Sequence, residues 1–378
     1  MARHSSIAFR LKKLGGHPSG FDFMRIFLAV TITFVHCLIT SGGFDVFHQI
    51  FSGWTRPFAR WLVPAFFALS GFLVAGSLER SKTLGMFLGL RAIRIYPALA
   101  IEVIISALII GPFVTTSSIS AYFSDPNFWI YLRNMYGDIH YHLPGVFANN
   151  PNPDTVNAQL WTIPFELGCY IAITGITLLG LRRKRILGPI FILLITAASF
   201  GELFYRYHGA MEPLPATPMH GALLIATFLA GVSIYFYRDV LPWTPALGAT
   251  AGALSFALLG LVPYGDFLSP IPTAYFTVYL GLLNPDRRLL RGADYSYGIY
   301  LYGFAVQQAV VCLVPEARMW LVNLLISTPI IVTVAAISWH YVERPALNLR
   351  SILRRLEAVY LARRERQTAT SAVMLGQD

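Results

Sequence analysis

Arg25 and His36 stand eleven residues apart in the stretch FDFMRIFLAVTITFVHC. In a helix turning 100° per residue, that spacing returns both side chains to within about 20° of one face, about 16 Å apart along the axis. Such a pair suits a long ligand: the guanidinium holds an anionic head, and the imidazole, which titrates near neutrality, moves a proton at the reactive end. Taken singly, Arg25 could snorkel into headgroups and His36 could be a hydrogen-bonded interhelical residue. Glu166, in LWTIPFELGCY, is a carboxylate of the kind that holds an imidazole in one tautomer and supports its cation. Burial in neutral form, or pairing with another basic group, is the alternative for it. Arg91 and Arg94 put two guanidinia on one helical face near a helix start, where phosphate binds well, although on spacing alone they could simply set topology. Glu102 is assigned a structural pairing with Arg25, and Glu343 in YVERP an interfacial one.

These residues need apolar helices to carry them. The chain has 378 residues, 55% of them hydrophobic and only 13% charged, against about 25% charged in soluble domains. Stretches able to cross about 30 Å of hydrocarbon lie near residues 23–41, 60–78, 95–114, 160–181, 186–200, 219–237, 243–262, 267–283, 295–314 and 320–340. The expected fold is therefore all-α, a polytopic membrane protein of ten transmembrane helices with both termini cytoplasmic. The basic residues support that orientation, because they concentrate on the cytoplasmic side. Of the 29 Lys and Arg, 23 fall in the tails and alternate loops of one side, 5 on the other, and Arg25 within the first span. Three divisions follow: a cytoplasmic basic tail, 1–22; a membrane domain, 23–349, with a long extracytoplasmic loop at 115–159; and a basic, then polar, cytoplasmic tail, 350–378, lying along anionic lipid or disordered. In this frame Glu166 sits about 9 Å below the outer surface and His36 about 7 Å, which places them at similar depth.

The net charge of +10 is spread over short loops, so membrane topology accounts for it better than nucleic-acid binding. Cys37, Cys169 and Cys312 all lie in apolar stretches and give neither a disulfide framework nor zinc-ligand spacing, so no metal is expected. The long loop reads either as an interfacial segment anchored by aromatics or as a cover for an outer substrate. On the second reading Tyr141, Asn157 and Trp161 are the candidate substrate contacts. Ser70 and Gly71, in mid-span, are placed as small residues for close helix packing.

Six segments in order resemble the acyltransferase family 3 of integral membrane O-acyltransferases over residues 21 to about 349: FDFMRIFLAVTITFVHC, PAFFALSGFL, RAIRIYPAL, LWTIPFELGCY, YSYGIYLYGFAVQQ and YVERP. The resemblance implies an enzyme passing an acyl group from cytoplasmic acyl-CoA to a hydroxyl of an extracytoplasmic or lipid-linked glycan, in the cell inner membrane. It implies functional roles for Arg25, His36, Arg91 and Arg94. Many members have a His where this chain has Gly303, so any role of that second His is absent here or supplied elsewhere. No appended esterase-like domain is recognised, and no second hydrolytic step in cis is expected.

The resulting expectation has His36 and Glu166 catalytic and Arg25, Arg91 and Arg94 holding the phosphates of acyl-CoA, which is a donor substrate and not a bound cofactor. His36 acts either as general base or through an acyl-histidine relay. A transporter or flippase of a glycolipid is the alternative from a different class, since buried charges also line transport pathways.

Overall fold

The computed structural model describes residues 6–16, 18–206, 220–283 and 293–375, and among these it is helical with only isolated bridges in place of strands. A short helix, α1 (Ile7–Lys13), precedes α2 (Gly20–Ile50), α3 (Arg56–Arg80) and α4 (Leu84–Ile105), which continues through a π turn at Ser106–Ile110 to Val114. Two short helices, α5 (Ile119–Ser124) and α6 (Pro126–Tyr131), lie in the long loop. There follow α7 (Ile163–Leu178), α8 (Leu187–Arg206), α9 (Gly221–Phe236), α10 (Pro245–Gly260), α11 (Pro270–Gly281), α12 (Ser296–Leu313) and α13 (Trp320–Ser338). The chain then runs through α14 (Arg344–Asn348) into α15 (Arg350–Leu375). A helix stands at each of the ten expected positions. Among the described residues six helical segments can cross a membrane by length and composition: Gly20–Ile50, Gly53–Arg80, Leu84–Val114, Ala158–Leu178, Leu187–Arg206 and Trp320–Gln367. The apolar α9 and α10 are shorter. Arg287–Arg291, used in the basic-residue count, lies outside the described residues.

Polar contacts sort the turns onto two ends of the bundle. At one end α1 docks on the turn after α9, with the Ile7 N–H donating to the Leu241 carbonyl at 3.0 Å and Arg10 stacked 4.4 Å from the Trp243 ring centre. Arg182 donates to the Leu78 carbonyl at 2.7 Å, and Arg185 pairs with Asp239 at 2.7 Å. Glu357 of α15 accepts from the Thr83 N–H at 2.7 Å. At the other end Arg60 pairs with Asp266, and Arg318 donates to the Asn149 carbonyl at 3.0 Å. Successive long helices therefore alternate in direction. Within the two tails, Ile7–Lys13 form the docked α1 and Arg350–Leu375 form α15.

The core crossing is α3 against α9. A methyl on Gly71 would overlap the Phe228 carbonyl, and one on Gly231 the Ala68 carbonyl, so these glycines let two backbones touch. The long loop is pinned into the bundle by buried amides. Asn150 donates to the Gln308 carbonyl at 2.9 Å, and Gln308 donates to the Asn152 and Thr155 carbonyls, both at 2.7 Å. Where α2 reaches this loop it bends at Gly43, whose φ of 75° suits glycine. A Cβ there would lie 3.1 Å from the Pro151 carbonyl oxygen. Tyr122, Phe128 and Tyr131 are buried, so only part of the loop's aromatic set, Trp129 and Tyr136, faces outward as a headgroup anchor would.

Candidate functional site

Alternating helices bring the early turns of α2 and α4 to the same end of the bundle, and there Arg25, Arg91 and Arg94 line one cavity of about 120 Å³. Its walls include Ile32 of α2, Ser70 of α3, Glu166 and Tyr170 of α7, and Tyr297 and Tyr300 of α12. Three guanidinia around one small space repel one another, and that repulsion would fall if a negative group entered.

Their partners differ. Arg25 Nη1 lies 3.0 Å from Asp294 Oδ2, and Arg94 Nη2 lies 2.5 Å from the same oxygen. The other Asp294 oxygen accepts from the Ser296 N–H at 3.3 Å and its hydroxyl at 2.5 Å, at the start of α12. Burial by itself would raise the Asp294 carboxyl, but the adjacent Arg94 and Arg25 outweigh it and hold the group well below the usual carboxylate range. Among the described residues Arg91 has no carboxylate within ion-pair distance. One of its terminal nitrogens donates to Ser77 Oγ at 3.2 Å, and its buried Nε has no hydrogen-bond partner among the described residues. Arg91 is therefore the guanidinium of the three that is not bonded to Asp294. Asp294 went unnoticed in the sequence; its signal was an acid two residues before a serine at the start of an apolar span, a pattern that also fits an ordinary cap.

Glu166 Oε1 accepts from the Tyr170 hydroxyl at 2.7 Å, one helical turn along α7. The structure does not bring Glu166 and His36 into a hydrogen bond. His36 lies outside the cavity lining, with its ring edge-on to Phe304 at 5.3 Å. Yet the cavity runs toward it: Ile32 lines the wall, and His36 is four residues further, one turn on along the same face. On the cavity wall the Tyr300 hydroxyl lies 2.8 Å from Thr162 Oγ1 and donates to the Gln159 carbonyl at 2.9 Å.

The expected Glu102–Arg25 pair is not formed. Helix α4 starts at Leu84, so Glu102 lies about 27 Å along it while Arg25 lies about 8 Å into α2, too far apart to meet. The buried Glu102 instead accepts from Ser106 Oγ at 2.6 Å and from the Asn157 side-chain amide. Asn157 is thereby committed inside the bundle. Trp161 packs edge-on to Phe165 at 5.9 Å, and the Tyr141 carbonyl accepts from the Val156 N–H at 2.9 Å. None of these three lines the arginine cavity, whereas Thr162, next to Trp161, does. Glu343 is buried and accepts from Ser338 Oγ at 3.3 Å, locking the end of α13. A Cβ at Gly303 would face Thr33 Oγ1 at 3.3 Å. Among the described residues no cluster of three His, Cys, Asp or Glu could hold a metal ion.

The model of a family described as "Acyltransferase domain" matches residues 19–341. "Nodulation protein 10" of Rhizobium leguminosarum bv. viciae is 27% identical over 370 residues, covering 89% of this chain and 95% of that protein. The "O-acetyl transferase" of Shigella phage Sf6 is 26% identical over 298 residues, covering 76% of this chain and 84% of that protein. No solved structure matches.

Proposed function

The chain belongs to the acyltransferase family matched over residues 19–341, and from that premise we propose that it passes an acetyl or other short acyl group from cytoplasmic acyl-CoA to a hydroxyl of an extracytoplasmic or lipid-linked glycan. At the coarser level it is a multi-pass membrane O-acyltransferase. The finer reading adds ten crossings of the inner membrane, with both termini in the cytoplasm. The glycolipid-transporter alternative has no observation in its favour beside an acyltransferase family.

One observation carries the donor assignment: the cavity that begins among Arg25, Arg91 and Arg94 extends along α2 to Ile32, one turn short of His36. Arg91, Arg94 and Arg25 together receive the phosphates. The pantetheine arm lies along the apolar wall between Val63, Phe66 and Ile32 and brings the thioester toward His36. An imidazole nitrogen of His36 takes the proton of the acceptor hydroxyl as its oxygen attacks the thioester carbon. The carbon–sulfur bond breaks, the thiolate leaves and takes a proton from the imidazolium, and the ester remains on the sugar. Glu166, facing the same cavity, supplies negative charge that steadies the imidazolium. The outer loop, with Tyr141, and Trp161 just after it hold the acceptor side.

Purified protein in lipid should release free thiol from acetyl-CoA only when an acceptor is present. Envelope glycans from cells with the gene should carry a mass increment removed by mild base and missing without it. Intact acetyl-CoA under every acceptor condition would overturn the donor assignment.

A further inference from the structure

The family match stops at residue 341, and helix α15 lies beyond it. One of its faces is docked. The Glu357 side chain accepts from the Thr83 N–H at 2.7 Å and hydroxyl at 2.8 Å, and Leu353, one turn earlier, packs where a Cβ on Gly89 would meet it at 3.2 Å. The adjacent face is bare and apolar: Ile352 is 50% exposed, Leu356 61%, Val359 51% and Tyr360 56%. At 100° per residue these four fall within an arc of about 100°. Arg355 borders that arc on the side away from the docked face, and the exposed Arg363 lies on the line of the arc one turn beyond Val359.

The level of this stripe is fixed by its neighbour. Helix α3, with 25 residues, is about 37 Å long, more than the roughly 30 Å of hydrocarbon, so the turn that follows it, Ser81–Thr83, lies among the headgroups. Glu357 is bonded to that turn, and Ile352 to Tyr360 lie within about 8 Å of Glu357 along the helix. An apolar arc at headgroup level, edged by arginines whose long stems can reach outward to phosphate, is the pattern of an interfacial helix. Residues 350–367 carry six arginines against two glutamates, a charge that selects an anionic leaflet.

We propose that α15 is a membrane-surface helix that seats Ile352, Leu356, Val359 and Tyr360 among the acyl chains of an anionic leaflet while Arg355 and Arg363 hold lipid phosphates. The test uses the full chain with Cys312 replaced by Ser and a fluorophore at Leu356→Cys or, on the opposite face, Arg354→Cys. Each protein is placed in nanodiscs of phosphatidylcholine with or without phosphatidylglycerol, and quenching by a lipid-chain quencher is compared with quenching by aqueous iodide. In phosphatidylglycerol discs position 356 should be quenched from the lipid and position 354 from water. The difference should shrink in pure phosphatidylcholine and at high salt. Adding Arg355→Gln or Arg363→Gln should shift the seated-to-free ratio about fivefold for each arginine lost. Equal iodide access at 354 and 356 in phosphatidylglycerol discs would overturn the proposal. So would shielding of 356 that persists in detergent and fades on dilution, because that marks a second copy of the chain as the occupant.

Discussion

Arg25 of α2 and Asp294, which precedes α12, lie 3.0 Å apart although 269 residues separate them, and Arg94 of α4 takes the same carboxylate oxygen at 2.5 Å. One acid thus ties the α2 and α4 arginines to the start of α12 and neutralises part of the positive charge beside the cavity.

Asp294→Asn should lower the melting temperature of the ligand-free protein, since a lost hydrogen bond to a charged group costs about 1.5–3 kcal/mol. Acyl-CoA should then raise the melting temperature more than in the unaltered protein, because its phosphates stabilise the two freed guanidinia. The sign with pH follows from the depressed carboxyl. The contact stabilises fully above the ordinary carboxylate range, near pH 4, and is lost only as pH falls through the lower folded value. Equal melting and equal ligand response in both proteins would rule out this role.

For His36→Ala the expectation is normal insertion with acyl transfer reduced a hundredfold or more, the usual order for a lost general acid–base group. Radiolabelled acetyl transfer, normalised to folded protein, measures it. Activity above about a tenth of the unaltered rate would be incompatible with proton transfer by His36.

Glu166→Gln removes a negative charge beside three arginines. Half-saturation by acyl-CoA should stay the same or improve, while turnover drops about tenfold from the loss of imidazolium support. Steady-state kinetics separate the two parameters, and unaltered turnover would take Glu166 out of the reaction.

Arg91→Lys keeps the positive charge and loses the Nε donor and the planar fork. If the residue binds phosphate, the acyl-CoA concentration for half-maximal rate should rise about ten- to a hundredfold. Membrane orientation, read by protease protection, should not change. A purely topological arginine would give coincident titration curves.

Gln308→Ala would strip the buried Asn152 carbonyl and the half-buried Thr155 carbonyl of their donor, and a buried unsatisfied group costs about 1–3 kcal/mol. Faster proteolysis within 140–157 is expected, with transfer to glycan reduced more than acyl-CoA binding. Unchanged proteolysis would mean that the loop is held by other contacts.

The primary sequence determined the positions of the apolar helices, because hydrocarbon thickness demands long runs of apolar residues, and it determined that Arg25 and His36 share a face, because helical periodicity is local. The alternation of helix direction was also legible, since basic residues gather at one end. Pairing was not. Asp294 joins Arg25 and Arg94, and Glu102 takes Asn157 in place of Arg25, across separations of 55 to 269 residues. A buried polar group takes the partner that helix packing brings within hydrogen-bond reach, and that depends on where each helix starts and how its neighbours cross it. Local periodicity carries neither quantity, so only the tertiary structure could decide that Glu166 faces Tyr170 and the arginines, and that the cavity stops one turn below His36.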